Sequence, residues 1–376
     1  MTQGSDFPFI EGALPGIRAL APYQPGKPIE ELQRELGLSD IIKLASNENP
    51  LGPSKSVQAA ITPLMSDLGR YPDGNGFALK QALAERYRIA TDCLTLGNGS
   101  NDILEFVARI FLRPGLNAVV SDHAFAIYAL ATQAVGAELR AARANPEDSP
   151  HPYGHDLVAM SSLIDADTAV VFIANPNNPT GTWFDDAALK RFLAGVPPEV
   201  VVVLDEAYAE YVEHPAYPTG LSYLQHYPNL IVTRTFSKAF GLAGLRVGYA
   251  VSHPKMADLL NRVRQPFNVN LFAQTAAVAA LADADHLERS RACNREGLQQ
   301  LHDELARLGL YFIPSVANFV SFRVPNANGC FEALLKSGVI VRPISGYGLP
   351  DFLRVSVGLR EENERFLRTL EGIIAS

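Results

Sequence analysis

Cysteine is scarce in this chain. Cys93, Cys293 and Cys330 lie far apart and form no CxxC pair, which excludes a disulfide framework and a cysteine zinc site and fits a reducing compartment. No apolar run approaches the length of a membrane span, so no membrane partner is expected. No run of five or six basic residues occurs, and a net charge of −8 argues against nucleic acid as a partner. Asp6 and Glu11 stand where a signal peptide would carry a basic and then an apolar region, so none is expected and the chain reads as cytoplasmic. His151 and His155 are four residues apart but lack the glutamate of HExxH and a third ligand, so no metal is expected. Gly97-Asn98-Gly99-Ser100-Asn101-Asp102 lacks both the third glycine of GxGxxG and the Gly-Lys-Ser/Thr of a P-loop.

What is present is the composition of a globular protein: 376 residues, 47% of them hydrophobic, with a mean hydropathy of +0.04. That length accommodates two domains. Short apolar strands alternate with helical patterns from about Thr95 to Val251, which predicts an α/β domain whose mostly parallel sheet is covered by helices on both faces. Helices are expected over 28–38, 56–67, 77–89, 101–112, 125–135, 156–164 and 185–193, and a strand is expected from Ile41. From Asn270 to Leu310 the pattern is nearly continuous helix, polar towards its end. Strands at 311–313, 319–324, 339–342 and 353–357 with helices at 330–337 and 361–374 then predict a smaller α+β domain. The expected organisation is an N-terminal segment (1–40) that packs with the small domain, a large domain (41–270) and a small C-terminal domain (271–376).

The chemistry gathers where strands of the parallel sheet end, the edge at which α/β proteins bind ligands. The apolar strand from Leu230 runs into Thr235-Phe236-Ser237-Lys238, and a glycine-rich turn then leads to Arg246. A lysine partly desolvated near other cations has a lowered pKa, and its neutral amine can attack a carbonyl. Thr235, Ser237 and Arg246 suit the oxygens of a phosphate. A nucleophilic lysine beside a phosphate clamp points to pyridoxal 5'-phosphate held as a Schiff base, whereas an isolated Ser-Lys would be an ordinary loop lysine. Ser100 and Asn101 open a helix whose free N–H groups make an anion site, or an ordinary capped helix. Asp205 closes the apolar strand from Val200 and can pair with a protonated ring nitrogen, while Glu206 points to the opposite face. Asn178, in a loop stiffened by two prolines, and Tyr208 can donate to a phenolate oxygen; an Asx-turn and a packed tyrosine are the plainer alternatives. Phe125 can lie on a ring face or in a helix core.

Taken together, KLASNENP (43–50), NPNNPTG (175–181), DEAY (205–208) and TFSKAFGLAGLRVGY (235–249) resemble the fold-type I, aspartate aminotransferase-like pyridoxal-phosphate enzymes, and within them the histidinol-phosphate aminotransferases. The resemblance runs from PGIRALAPYQPG (15–26) to RVSVGLREENERFL (354–367), almost the whole chain. It implies that Lys238 is the Schiff-base lysine, that Asp205 partners the pyridine nitrogen, and that Asn178 and Tyr208 contact O3'. Phe125 would stack on the ring, and Ser100, Asn101, Thr235, Ser237 and Arg246 would hold the phosphate. Tyr71 would reach the phosphate of a neighbouring subunit, which implies a homodimer with shared sites, and the 1–40 segment would pack against that partner subunit as well as the small domain. Arg354 would bind the substrate anion with Arg342 as its helper, and Tyr23 and Asn47 would line the substrate pocket.

The implied reaction moves the amino group of L-histidinol phosphate to 2-oxoglutarate by a ping-pong route. It gives imidazole acetol phosphate and glutamate in histidine biosynthesis, with Lys238 shuttling the Cα proton. Aromatic amino acid aminotransferases and threonine-phosphate decarboxylase-like lyases share the motifs and stay open. A cofactor-sensing regulator would need a DNA-binding module, for which there is neither a basic helix-turn-helix nor spare length. Two departures bear on substrate preference: Asn101-Asp102 stands where the family often has Asp-Glu, and Phe125 where it often has Tyr.

Overall fold

A computed structural model of the chain describes residues 8–375, so the start of the N-terminal segment, with Asp6, lies outside the described residues. Thirteen strands follow in order: β1 (Ile42–Lys43), β2 (Leu94–Gly97), β3 (Asn117–Ser121), β4 (Glu138–Ala142), β5 (Thr168–Ala174), β6 (Val201–Asp205), β7 (Leu230–Thr235), β8 (Gly248–Ser252), β9 (Phe312–Ile313), β10 (Phe319–Arg323), β11 (Val339–Ile340), β12 (Arg342–Pro343) and β13 (Phe352–Ser356). Seven of them form one sheet in the order β2-β8-β7-β6-β5-β3-β4. Only β8 runs against its neighbours.

The alternation within the central strands decides which side chains meet the ligand edge. Phe172, Val201, Val203 and Ile231 face a core made with the helices Ser100–Phe111 and Ala126–Ala134. Val171, Ile173, Val202, Leu204 and Val232 face a second core that includes helix Asp186–Gly195. These strands are β-branched and buried on both faces, and each such side chain contributes about 1.5–3 kcal/mol by leaving water. Asp205 continues the parity of Val201 and Val203, so it emerges on the first face, and Glu206 on the other.

The small body is the antiparallel sheet β12-β13-β10-β9 packed against Leu301, Leu305, Leu334, Phe366 and Leu370. The run expected as one strand over 339–342 is two. Its first half, β11, pairs in parallel with β1, and its second half, β12, pairs antiparallel with β13. The strand expected from Ile41 is therefore an arm laid on the small body, and Leu44 joins that core. The long helical stretch breaks at Asp283, whose carboxylate caps the second helix by accepting from His286 N. Leu271–Ala282 packs into the large body's core with Leu79 and Phe240. Ala284–Arg307 then runs from that core at Leu287 to the small body's core at Leu301.

The helix expected over 56–67 is α-helical only for Lys55–Ile61 and tightens to a 3-10 turn over Thr62–Asp67. Pro63, with no N–H to donate, sits where the ladder changes. Among the described residues no helix is long and apolar enough to cross a membrane.

Candidate active site

The loops that leave β5, β6 and β7, the start of helix Ser100–Phe111, and residues 45–47 and 354 from the small body's edge close round a cavity of ≈ 190 Å³. Tyr23, Asn47, Ser100, Asn101, Phe125, Asn178, Asp205, Tyr208, Thr235, Ser237, Lys238, Arg246, Arg342 and Arg354 all line it. Tyr71 does not. It stands on the surface, 82% exposed, with its ring stacked on Phe267 at 4.7 Å.

Lys238 stands three residues beyond the end of β7, and its Nζ donates to the carbonyl of Ser46 at 3.1 Å. Burial lowers its pKa to about 7, helped by the guanidinium charges of Arg354 and Arg246 and opposed by Glu48 and Asp205. The amine is therefore close to half neutral at pH 7. It also lies 5.6 Å from the centroid of the Tyr208 ring, and the Tyr208 hydroxyl accepts from Asn47 Nδ2 at 3.0 Å.

Asp205 is buried, and that burial raises its pKa. Three donors oppose the rise. Tyr128 Oη donates to Oδ2 at 2.8 Å, and Thr233 Oγ1 and Ala207 N donate to Oδ1 at 3.1 and 3.2 Å. Glu206, on the other face, is fixed in a separate ion pair. Its Oε2 accepts from Arg234 Nη2 at 2.6 Å and Nε at 2.9 Å, and it takes no part in the cavity.

The anion end of the cavity is shaped by missing side chains. Gly99, at φ +80, precedes the first helical residue, Ser100. A Cβ at Gly99 would stand 2.6 Å from Arg246 Nη2, and one at Gly248 only 2.5 Å from Ser100 N. The guanidinium and the helix's first N–H groups thus converge on one spot, with the helix dipole adding partial positive charge. Arg246 Nη1 is steadied by Ser237 Oγ at 3.4 Å and Ala243 O at 3.2 Å, and Ser237 N donates to Thr235 Oγ1 at 3.1 Å. Asp102 turns away from this spot to brace the loop, accepting from Asn98 N at 2.8 Å and Asn268 Nδ2 at 2.9 Å.

Arg354 sits across the cavity, 5% exposed, with its guanidinium 5.2 Å from the Phe319 centroid. It donates to Ala45 O at 2.8 Å and to Asn178 Oδ1, which fixes the amide so that Nδ2 is the free donor of Asn178. Its buried Nε has no protein partner. Arg342 Nη2 bonds Gln24 O, and its guanidinium lies 5.6 Å from the Tyr23 centroid, so the N-terminal segment is pinned across the mouth. Asn47, at φ +54, is held through Ser356, whose hydroxyl accepts from Asn47 N at 2.8 Å.

Tyr128 and Thr233 are the functional neighbours that sequence reasoning missed. Tyr128 lies in the first turn of helix Ala126–Ala134, three residues after its N-cap, Phe125. Thr233 is paired with Asp205 in the β6–β7 register. Both signals need the partner strand to be known. His155 is a buried imidazole that accepts from Ala174 N at 3.3 Å, and burial pulls its pKa down to about 4. His151 packs edge-on to Trp183. Among the described residues no group of three or more His, Cys, Asp or Glu side chains is placed to hold a metal ion.

The family described as aminotransferase class I and II matches residues 39–370. A histidinol-phosphate aminotransferase 2 of Pseudomonas aeruginosa is 59% identical over 370 residues, 98% of this chain and 99% of its own. A histidinol-phosphate aminotransferase 2 of Pseudomonas fluorescens is 57% identical over 370 residues, 98% of each chain. The chain belongs to the class I and II aminotransferases, within the histidinol-phosphate aminotransferase family. The fold agrees: the crystal structure of the Sinorhizobium meliloti histidinol-phosphate aminotransferase in complex with pyridoxal-5'-phosphate superposes with a TM-score of 0.88 at 28% identity, covering 100% of this chain and 99% of that one. In this aminotransferase the titratable lysine, the buried carboxylate and the two arginines therefore lie in one cavity, as amino-group transfer requires.

Proposed function

We propose that this aminotransferase binds pyridoxal 5'-phosphate and moves the amino group of L-histidinol phosphate to 2-oxoglutarate, as a cytoplasmic homodimer with shared sites. The observation that carries this is Lys238, an amine with a pKa of about 7 coupled to arginines at two anion sites of one cavity, Arg246 and Arg354. The residues fit the cofactor. The Gly99–Ser100–Arg246 cradle suits its phosphate, Asp205 its ring nitrogen, and Asn178 Nδ2 and the Tyr208 hydroxyl its phenolate oxygen, with Phe125 against the ring. When bound, the cofactor supplies an electron sink for the bonds at the substrate's Cα.

Everything else falls to the chain itself. Lys238 Nζ takes the Cα proton and returns it, a role for which a pKa near neutrality is best suited. Arg354 holds an anionic group of either substrate, because a guanidinium fork fits phosphate and carboxylate oxygens alike. Arg342 adds a second charge at that end, which favours a dianionic phosphate over a single carboxylate. Support for the donor comes from the full-length relatives, both named histidinol-phosphate aminotransferases.

The test is kcat/KM for histidinol phosphate and for phenylalanine in wild type, Arg342→Ala and Arg354→Ala. Charge-assisted contacts are worth about 1.5–3 kcal/mol, so Arg342→Ala should shift the ratio against histidinol phosphate by roughly ten- to a hundredfold. Arg354→Ala should harm both donors and 2-oxoglutarate. A wild type that prefers phenylalanine, or equal losses in Arg342→Ala, moves the assignment to an aromatic amino acid aminotransferase. Release of carbon dioxide from an amino-acid phosphate would make it a lyase.

A further inference from the structure

Asp205 poses a problem that its position alone does not solve. A carboxylate and a pyridine nitrogen sharing a proton out of water have two forms: the ion pair, with the proton on nitrogen, and the neutral pair, with it on oxygen. Low dielectric penalises separated charge, so burial by itself favours the neutral pair. A neutral pyridine withdraws electrons poorly, and the chemistry at Cα would suffer. Something must make this carboxylate a weaker base.

Three groups can do so, and the strongest is Tyr128. Its hydroxyl donates to Asp205 Oδ2 at 2.8 Å, the shortest of the three bonds to this carboxylate. The phenol is 1% exposed, and burial together with the Asp205 charge holds it protonated far above its ordinary range, so it remains a donor. The ring is locked. It stacks on Phe172 with centroids 5.1 Å apart and planes 4° from parallel, and it meets Phe125 edge-on at 5.8 Å. Tyr128 also lines the cavity, so one side chain touches the carboxylate and supports the aromatic wall beside it. Thr233 completes the device from β7, directly opposite Asp205 in register.

We propose that Tyr128 is a positioning residue that keeps the shared proton on the cofactor's ring nitrogen, by donating to Asp205 Oδ2 and weakening that carboxylate as a base. Thr233 does the same at Oδ1 from the opposite side. This rests on the reading that Asp205 faces the ring nitrogen, and the two can be separated experimentally.

The experiment loads wild type, Tyr128→Phe, Thr233→Val and Asp205→Asn with pyridoxal phosphate carrying an isotope-labelled ring nitrogen and reads its NMR shift in the holoenzyme. Phenylalanine keeps the stack on Phe172, so Tyr128→Phe should still fold and melt cooperatively, at a somewhat lower temperature because the buried carboxylate loses a donor. The nitrogen of wild type should read as protonated. In Tyr128→Phe the shift should move towards the unprotonated value, the proton-sharing equilibrium changing by about ten- to a hundredfold, as losing a hydrogen bond to a charged group implies. Thr233→Val should move it less, in keeping with the longer bond. Single-turnover proton abstraction should slow in step with the shift, while the amine's binding constant holds. A ring-nitrogen shift in Tyr128→Phe identical to wild type, with Asp205→Asn clearly displaced, would overturn the proposal and leave the role of Asp205 standing. A wild-type shift also shown by Asp205→Asn would remove the reading beneath it.

Discussion

Lys238 becomes a usable base near pH 7, where an ordinary lysine is neutral in only about one molecule in 2,500. The direction of its dependence follows from the causes. Its charged form is disfavoured by burial first and by the Arg354 guanidinium next. The neutral amine is therefore lost as pH falls below about 7 and gained as pH rises through it. Removing the Arg354 charge must raise the pKa. We expect the rate at which cofactor-free protein forms a borohydride-reducible bond to pyridoxal phosphate to rise with a midpoint near 7 in wild type. That midpoint should move upward in Arg354→Gln, and the bond should be absent in Lys238→Ala. A midpoint indifferent to Arg354, or an adduct surviving in Lys238→Ala, would show that another group attacks. At this scale much was legible, because a lysine and an aspartate at strand ends are conspicuous where apolar residues would be cheaper. Tyr128 was not, since a tyrosine on the apolar face of a helix looks like packing until its hydroxyl is seen to meet Asp205.

Elements explain why the anion cradle reads weakly as a motif yet is sharply built. Gly-x-Gly before a helix is common, and nothing local says that Gly99 and Gly248, far apart in sequence, are empty for one reason. The pairing of β2 with β8 brings Gly97 opposite Gly248 and sets the helix start against Arg246. Alanine at Gly99 meets two penalties: a positive φ of +80, and a Cβ 2.6 Å from Arg246 Nη2. Strain of this sort costs about 1–3 kcal/mol. We expect Gly99→Ala to weaken pyridoxal phosphate by roughly ten- to a hundredfold in a spectrophotometric titration. Pyridoxal without the phosphate should lose far less, and equal losses for the two would show that the cradle does not read phosphate. The same dependence on partners hid the split of 339–342. Val339, Ile340 and Val341 run straight into Arg342 with no turn residue between them, and only β1 on one side and β13 on the other decide that one half pairs parallel and the other antiparallel.

At the scale of the whole molecule, the two bodies are joined by side chains that a linear boundary does not capture. Helix Ala284–Arg307 enters both cores, and the arm at Ile42–Lys43 and the residue Arg354 bring the small body to the cavity's edge. One expected site residue finds no role within a single chain. Tyr71 is 82% exposed and stacked on Phe267, and Met65, Leu68 and Phe77 nearby are 64%, 61% and 67% exposed. Large apolar side chains exposed this densely along one stretch of chain suit a surface that another molecule covers. In a two-fold dimer the same patch on each chain would meet its mate, and each Tyr71 could serve the opposite cavity. This has a consequence that ordinary mutagenesis cannot mimic. Lys238→Ala removes the base from a chain's own cavity, whereas Tyr71→Ala would damage only the partner's. Mixed, unfolded and refolded together in equal amounts, the two variants give heterodimers in which one cavity carries both lesions and the other carries neither. Half of the dimers are then mixed, each with one intact cavity of two, so activity should return to about a quarter of wild type. Either variant refolded alone should stay at its own low level. If the mixture does no better than the mean of its components while still sedimenting as a dimer, each cavity is built from one chain, and Tyr71 merely packs the interface.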